Sequence, residues 1–70
     1  MSYPVTLMER EDTDHRVELV YHGPDARQQV TIHVRWYSGE FQDFAFAVHG
    51  KRVLDAFNHP HWYSAHAQAA

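Results

Sequence analysis

The stretch QVTIHVRWYSGEFQDFAFAVH, residues 29–49, decides how this chain folds. In its first half Val30, Ile32, Val34 and Trp36 fall on one side, and Gln29, Thr31, His33, Arg35 and Tyr37 fall on the other. A period of two in β-branched and aromatic residues specifies a β-strand over 29–37. A second alternation follows, with Phe44, Phe46 and Val48 set against Phe41, Asp43, Ala45, Ala47 and His49, so a strand is expected over 41–49. The polar Ser38-Gly39-Glu40 segment between them predicts an antiparallel hairpin. A two-residue turn at Ser38-Gly39 would set Val34 opposite Asp43 and mix the two faces. A three-residue connection instead pairs Val34 with Phe44, Ile32 with Phe46 and Val30 with Val48. On the other face it sets Arg35 opposite Asp43 and Tyr37 opposite Phe41. A slip of one residue inverts both faces, so the second register is the expected one.

Upstream, Val17, Leu19 and Tyr21 alternate with Arg16, Glu18 and His22, and Val20 stands out on the polar side. This predicts a strand over 16–22, closed by Gly23-Pro24-Asp25. Tyr21 then pairs with Val30, Leu19 with Ile32, and Glu18 falls opposite His33. A first strand is expected over 3–10, with Val5 and Leu7 on one face and Thr6 and Met8 on the other. The turn formers of Glu11–Asp14 close it.

Beyond Gly50 the period changes. Val53, Leu54 and Phe57, with Ala56 beside them, follow helical spacing and predict helix over 52–58. Pro60 disfavours helical geometry at His59 and suits the first position of a new helix over 60–68, capped by Asn58 or His59. Its stripe would hold Trp62, Ala65, His66 and Ala69. Trp62 and Tyr63 point about 100° apart on a helix, so one packs on the sheet and the other is exposed.

The expected architecture is α+β: a four-stranded antiparallel β-meander with C-terminal helical structure (ββββα) packed on one face, forming one small domain over 1–70. The candidate core is Val5, Leu7, Val17, Leu19, Tyr21, Val30, Ile32, Val34, Trp36, Phe44, Phe46, Val48, Leu54 and Phe57.

Composition bounds the function. Seventy residues without cysteine leave a modest core that nothing staples, and they remove thiol chemistry and cysteine-based zinc motifs. The lack of cysteine suits a reducing cytosol. The opening MSYPVTLMERED lacks the basic and apolar regions of a signal peptide, and the longest apolar run is Phe44–Val48. A soluble, cytoplasmic chain with no membrane partner is therefore expected. Nine acidic residues against six basic ones give a net charge of −3, which opposes binding to phosphate backbones. Seven histidines make that charge swing to +4 once all are protonated.

Among possible chemistries, His59, His61 and His66 invite a metal reading. His61 and His66, however, lie about 140° apart on a helix. There is no HExxH, and Asp55 is the one carboxylate near in sequence. The tail histidines are expected to decorate or cap a helix, and no metal or cofactor is expected. The carboxylate of Glu18 facing His33 favours the protonated imidazole. Thr31 lies on the same face but a strand repeat of about 7 Å away, so no nucleophile is expected there. The isolated Gly23, Gly39 and Gly50 form no phosphate-binding loop.

The outer sheet face carries Tyr37, Phe41, Ala45, Ala47 and Val20 bordered by Arg35, Asp43, His33 and His49. Aromatic residues with Arg, edged by charge, are what interface centres enrich. The expected function is a small non-enzymatic protein–protein binding module, an accessory or regulatory factor that docks a partner or a second copy of itself. Tyr37 and Phe41 would be the aromatic anchors and Arg35 and His33 the polar contacts, joined by Trp62 and Tyr63. The alternative is nucleic-acid binding through Arg16, Arg27, Arg35, Lys51 and Arg52.

Overall fold

A computed structural model describes residues 2–63. The chain forms one antiparallel sheet in the order β1-β2-β3-β4, followed by a short helix and a 3-10 turn. The strands are β1 (Val5–Glu11), β2 (His15–Tyr21), β3 (Val30–Trp36) and β4 (Phe41–Phe46). Helix α1 spans Lys51–Asn58, and the turn η1 spans Pro60–Tyr63. This is the expected ββββα meander. The second helix expected over 60–68 is a 3-10 turn as far as Tyr63, and its remainder lies outside the described residues. Among those described, no helix is long and apolar enough to cross a membrane.

β2 and β3 pair in the expected register, with Tyr21 opposite Val30, Leu19 opposite Ile32 and Glu18 opposite His33. The β3–β4 register is corrected. Val30 faces Phe46, Ile32 faces Phe44, Val34 faces Gln42, His33 faces Asp43 and Arg35 faces Phe41. The turn sits one residue earlier than expected, at Tyr37-Ser38-Gly39. The Gly39 amide donates to the Trp36 carbonyl at 2.9 Å, and Trp36 donates to the Glu40 carbonyl at 2.9 Å. This is a three-residue hairpin loop that needs a left-handed residue in last place, and Gly39 supplies it with φ +109°. Moving the turn back by one residue displaces the pairing by two. Both faces survive, because the side-chain period is also two.

β1 breaks its own alternation. Val5 faces Tyr21 and Thr6 faces Val20, but Met8 faces Leu19, so Leu7 is the extra residue of a bulge. Beyond it the faces exchange, and Met8 and Arg10 join the helix side while Glu9 and Glu11 face out. The expected split of Val5 and Leu7 from Thr6 and Met8 therefore fails at the bulge.

The core is Val17, Leu19, Val30, Ile32, Val34, Trp36, Val53, Ala56 and Phe57, with Tyr21, Phe44 and Phe46 packed partly buried against it. Four expected core residues are exposed: Val5, Leu7, Val48 and Leu54. For Leu54 the reason is rotational, because α1 turns Val53, Ala56 and Phe57 onto the sheet. For the others it is one of reach. An eight-residue helix is about 12 Å long, whereas a seven-residue strand runs about 23 Å. The helix packs mainly on β2 and β3. Tyr3, Val5, Leu7, Tyr21, Gln29, Val48 and His49 line an open groove of about 490 Å3 at the uncovered end. β4 stops at Phe46, so Val48 falls in the connection to α1.

Candidate functional site

The outer face of the sheet gathers two rows of side chains. One runs Glu11, Arg16, Arg35, Phe41 and the next Glu9, Glu18, His33, Asp43. Phe41 is 67% exposed, and the Arg35 guanidinium lies 4.9 Å from its ring centroid. Their opposition across β3 and β4 follows from the corrected register, which replaces the expected Arg35–Asp43 and Tyr37–Phe41 pairs. Arg16, Glu18, His33, Val34, Arg35 and Phe41 line a shallow hollow of about 250 Å3.

His33 lies opposite Glu18, as expected, but its hydrogen bond goes to the other neighbour. His33 Nδ1 is 2.7 Å from Asp43 Oδ1, and Nε2 is 3.1 Å from Thr31 Oγ1. Thr31 Oγ1 is in turn 2.8 Å from His22 Nε2. With both imidazoles neutral, one proton arrangement satisfies the chain: His22 donates to Thr31, Thr31 to His33, and His33 to Asp43. The expected separation of Thr31 from His33 is thereby corrected, because the two side chains lean along the strand and meet. A hydroxyl, an imidazole and a carboxylate in this order are the parts of a nucleophilic hydrolase. What such a site also needs is free N–H groups aimed at a developing oxyanion. Thr31 sits in β3, a central strand whose backbone is paired on both sides by β2 and β4. The chain of bonds links His22, Thr31, His33 and Asp43 into one polar row beside Phe41.

Tyr37 turns away from Phe41. Its hydroxyl donates to Glu11 Oε2 at 2.6 Å, and its amide donates to the Asp14 carbonyl at 3.0 Å. The bond to the Glu11 carboxylate stabilises the protonated phenol and raises its pKa. Trp62 is 63% exposed and stacks on His59 with ring centroids 3.9 Å apart, on the helical side of the sheet. Tyr63 closes η1. Of the six residues expected at a partner site, the fold brings together Phe41, Arg35 and His33. Tyr37 and Trp62 stand apart from them.

Among the described residues, three of the six cations are engaged in hydrogen bonds. Arg16 Nη2 donates to Glu9 Oε2 at 2.9 Å, Lys51 to Asp55 at 2.9 Å, and Arg10 to the end of α1. With Glu9, Glu18 and Asp43 in one row, the outer face is a poor match for a phosphate backbone.

A second constellation lies on the opposite, helix-bearing face at the same end of the sheet and joins residues far apart in sequence. His15 is 1% exposed at the start of β2, opposite Trp36. Its Nδ1 lies 2.7 Å from Asp14 Oδ1, and its Nε2 lies 3.3 Å from Arg10 Nη2. A guanidinium only donates, so Nε2 accepts and Nδ1–H donates to Asp14. The other oxygen of Asp14 is 2.8 Å from His61 Nε2. The His61 ring in turn packs edge-on against Trp36 at 4.8 Å and His15 at 5.3 Å. Hydrogen bonds from His15 and then His61 hold the Asp14 carboxyl at about 2, against an ordinary 3.8.

Of the pair expected to divide between sheet and solvent, Trp62 is the exposed one and the Tyr63 side chain lies outside the described residues, while Pro60 is buried and His61 packs on Trp36. Sequence reasoning missed His15 although it continues the alternation of Val17, Leu19 and Tyr21 one step upstream. Nothing local pointed to Asp14 or Arg10. No protein-family model matches this chain, and no curated protein or solved structure matches it either.

Proposed function

We propose that this chain is a non-enzymatic docking module that works by self-association, pairing the β4 edge of its sheet with β4 of a second copy. The observation that carries this reading is Phe41, two-thirds exposed beneath Arg35 on an edge strand without proline, lysine or bulge. Natural edge strands are blunted by such devices, and β1 has one in its Leu7 bulge. β4 has none.

The Trp36–Glu40 hydrogen bond sets the ladder so that even-numbered residues of β4 bond to β3. The amides of Phe41, Asp43 and Ala45 then face the open edge. A symmetric antiparallel pair must keep each face continuous, which allows only registers that match odd with odd residues. Centring the two-fold axis on Phe44 brings Phe44 against its own copy and Asp43 against Ala45. Centring it on Asp43 instead would oppose two carboxylates. The favoured register also covers the partly buried Phe44 and Phe46. An isologous dimer of this kind extends the sheet from four strands to eight.

Analytical ultracentrifugation across protein concentration, in EDTA, tests the reading. The wild-type chain should sediment as a dimer in the tens of micromolar range. Ala45→Pro removes a donor at the open edge while leaving the bonds to β3, so it should sediment as a monomer with unchanged circular dichroism. A wild-type chain that stays monomeric up to millimolar concentration, or an Ala45→Pro chain that still dimerises, would overturn it.

A further inference from the structure

We infer that Asp14, His15 and His61 form a binding site for a divalent transition-metal ion of the zinc class. The donor atoms, one from each residue, lie within 4.8 Å of one another. Two imidazole nitrogens and a carboxylate are the mixed nitrogen and oxygen set that zinc, cobalt and nickel take, and three protein ligands leave a position open to solvent.

Tetrahedral bonds of about 2.0–2.1 Å place neighbouring donors about 3.3 Å apart. The 2.7 and 2.8 Å contacts of His15 and His61 run to the two different oxygens of Asp14, so a bound ion would either take both oxygens or draw the two imidazoles toward one of them, closing a donor set that now lies within 4.8 Å. Two of the three ligands are already held. The His15 ring is buried and lies 5.0 Å from Trp36, and Trp36 also supports His61. Asp14 is half exposed and gives an ion its way in.

Binding at His15 Nδ1 moves that ring's proton to Nε2, which now faces Arg10 Nη2 at 3.3 Å. Two donors cannot share that contact, and the guanidinium charge opposes the ion. The surroundings hold the remedy. Asp12 Oδ2 lies 4.0 Å from His15 Nε2 and can accept its proton, giving the carboxylate–histidine–metal relay common at such sites. Arg10 keeps its bonds to the carbonyls of Phe57 at 2.9 Å and Asn58 at 3.2 Å. With Asp12 and Asp14 against Arg10, the local charge before binding is negative.

The position of the site gives the ion a structural consequence. Asp14 lies in the β1–β2 turn, His15 opens β2 and His61 lies in η1, so one ion would clamp η1 to the sheet. That clamp is independent of the β4 edge.

Co2+ titration of the untagged chain tests this, followed by visible absorption and by tryptophan emission in a Trp62→Phe background that isolates Trp36. One equivalent should saturate the signal, with a four-coordinate cobalt spectrum and quenching of Trp36. Asp14→Asn and His61→Ala should each weaken binding at least tenfold, Asp12→Asn by a smaller factor, and His59→Ala not at all. Zn2+ should raise the melting temperature of the wild type over that in EDTA but leave His61→Ala unmoved. That second readout covers the case in which Asp14→Asn disturbs the turn. Uptake that is not saturable at one equivalent, or that falls with His59→Ala and not with His61→Ala, would mean adventitious binding by scattered histidines and overturn the site.

Discussion

Arg10 of β1 donates to the carbonyl oxygen of Phe57 at 2.9 Å, joining the first strand to the last turn of a helix 47 residues further along the chain. The helix itself is poorly arranged for its dipole. Lys51 and Arg52 occupy its first turn, where positive charge is unfavourable, and its last turn has no basic residue. Its N-cap, Gly50, makes no side-chain capping bond. An eight-residue helix is too short to persist alone, so its stability comes from the sheet beneath it and from the guanidinium at its C-terminal end.

Arg10→Met should therefore be costly. It keeps much of the packing on Phe57, whose ring centroid lies 5.6 Å from the guanidinium, but leaves two carbonyls without their charged donor. A loss of about 2–3 kcal/mol is expected in urea unfolding. Arg16→Met, which breaks an exposed pair with Glu9, should cost less than about 1 kcal/mol. Equal losses in the two variants would show that the Arg10 contact with α1 contributes nothing special.

The helix phase yields a second comparison. Val53 is 1% exposed and Leu54 is 41% exposed. Val53→Ala should cost about 2 kcal/mol through lost burial and a cavity. Leu54→Ala removes more atoms yet should cost less than about 1 kcal/mol. Thermal or urea melts of both variants check the order, and a reversed ranking would put Leu54 back on the sheet.

Asp14 carries a pH dependence. Its pKa is about 2 in the folded chain and returns to the ordinary 3.8 on unfolding. A carboxylate with a depressed pKa stabilises the fold fully above the unfolded value and loses that contribution as pH falls through the folded one. In EDTA, the stability gap between the wild type and Asp14→Asn should thus narrow as pH is lowered from about 5 to about 2. Half of this side chain faces solvent, so the gap is modest even where it is fully present. A gap that stays constant over this range would remove the link to Asp14 ionisation.

The sequence by itself determined the four strands and the helix α1, their order and the pairing of β2 with β3. Val17, Leu19, Val30, Ile32 and Val34 alternate without interruption, and the observed register buries them all on one face. Phe57 and the helical spacing around it were legible for the same reason: periodicity reports which side of an element is apolar. It does not report how far a covering element extends or where a turn begins. The two-residue displacement of β4 preserved both faces, so no hydrophobic pattern could distinguish the two registers, and the left-handed Gly39 settled it. The Leu7 bulge inverted β1 beyond the reach of any strict alternation and turned Arg10 toward α1. At the outer face, Phe41, Arg35 and His33 were readable as exposed residues, but their neighbours followed from the register. The Asp14–His15–His61 cluster was decided by tertiary structure alone. Its residues come from a turn and a terminal segment 47 positions apart, and they meet only because the helix returns the chain over the sheet to Trp36.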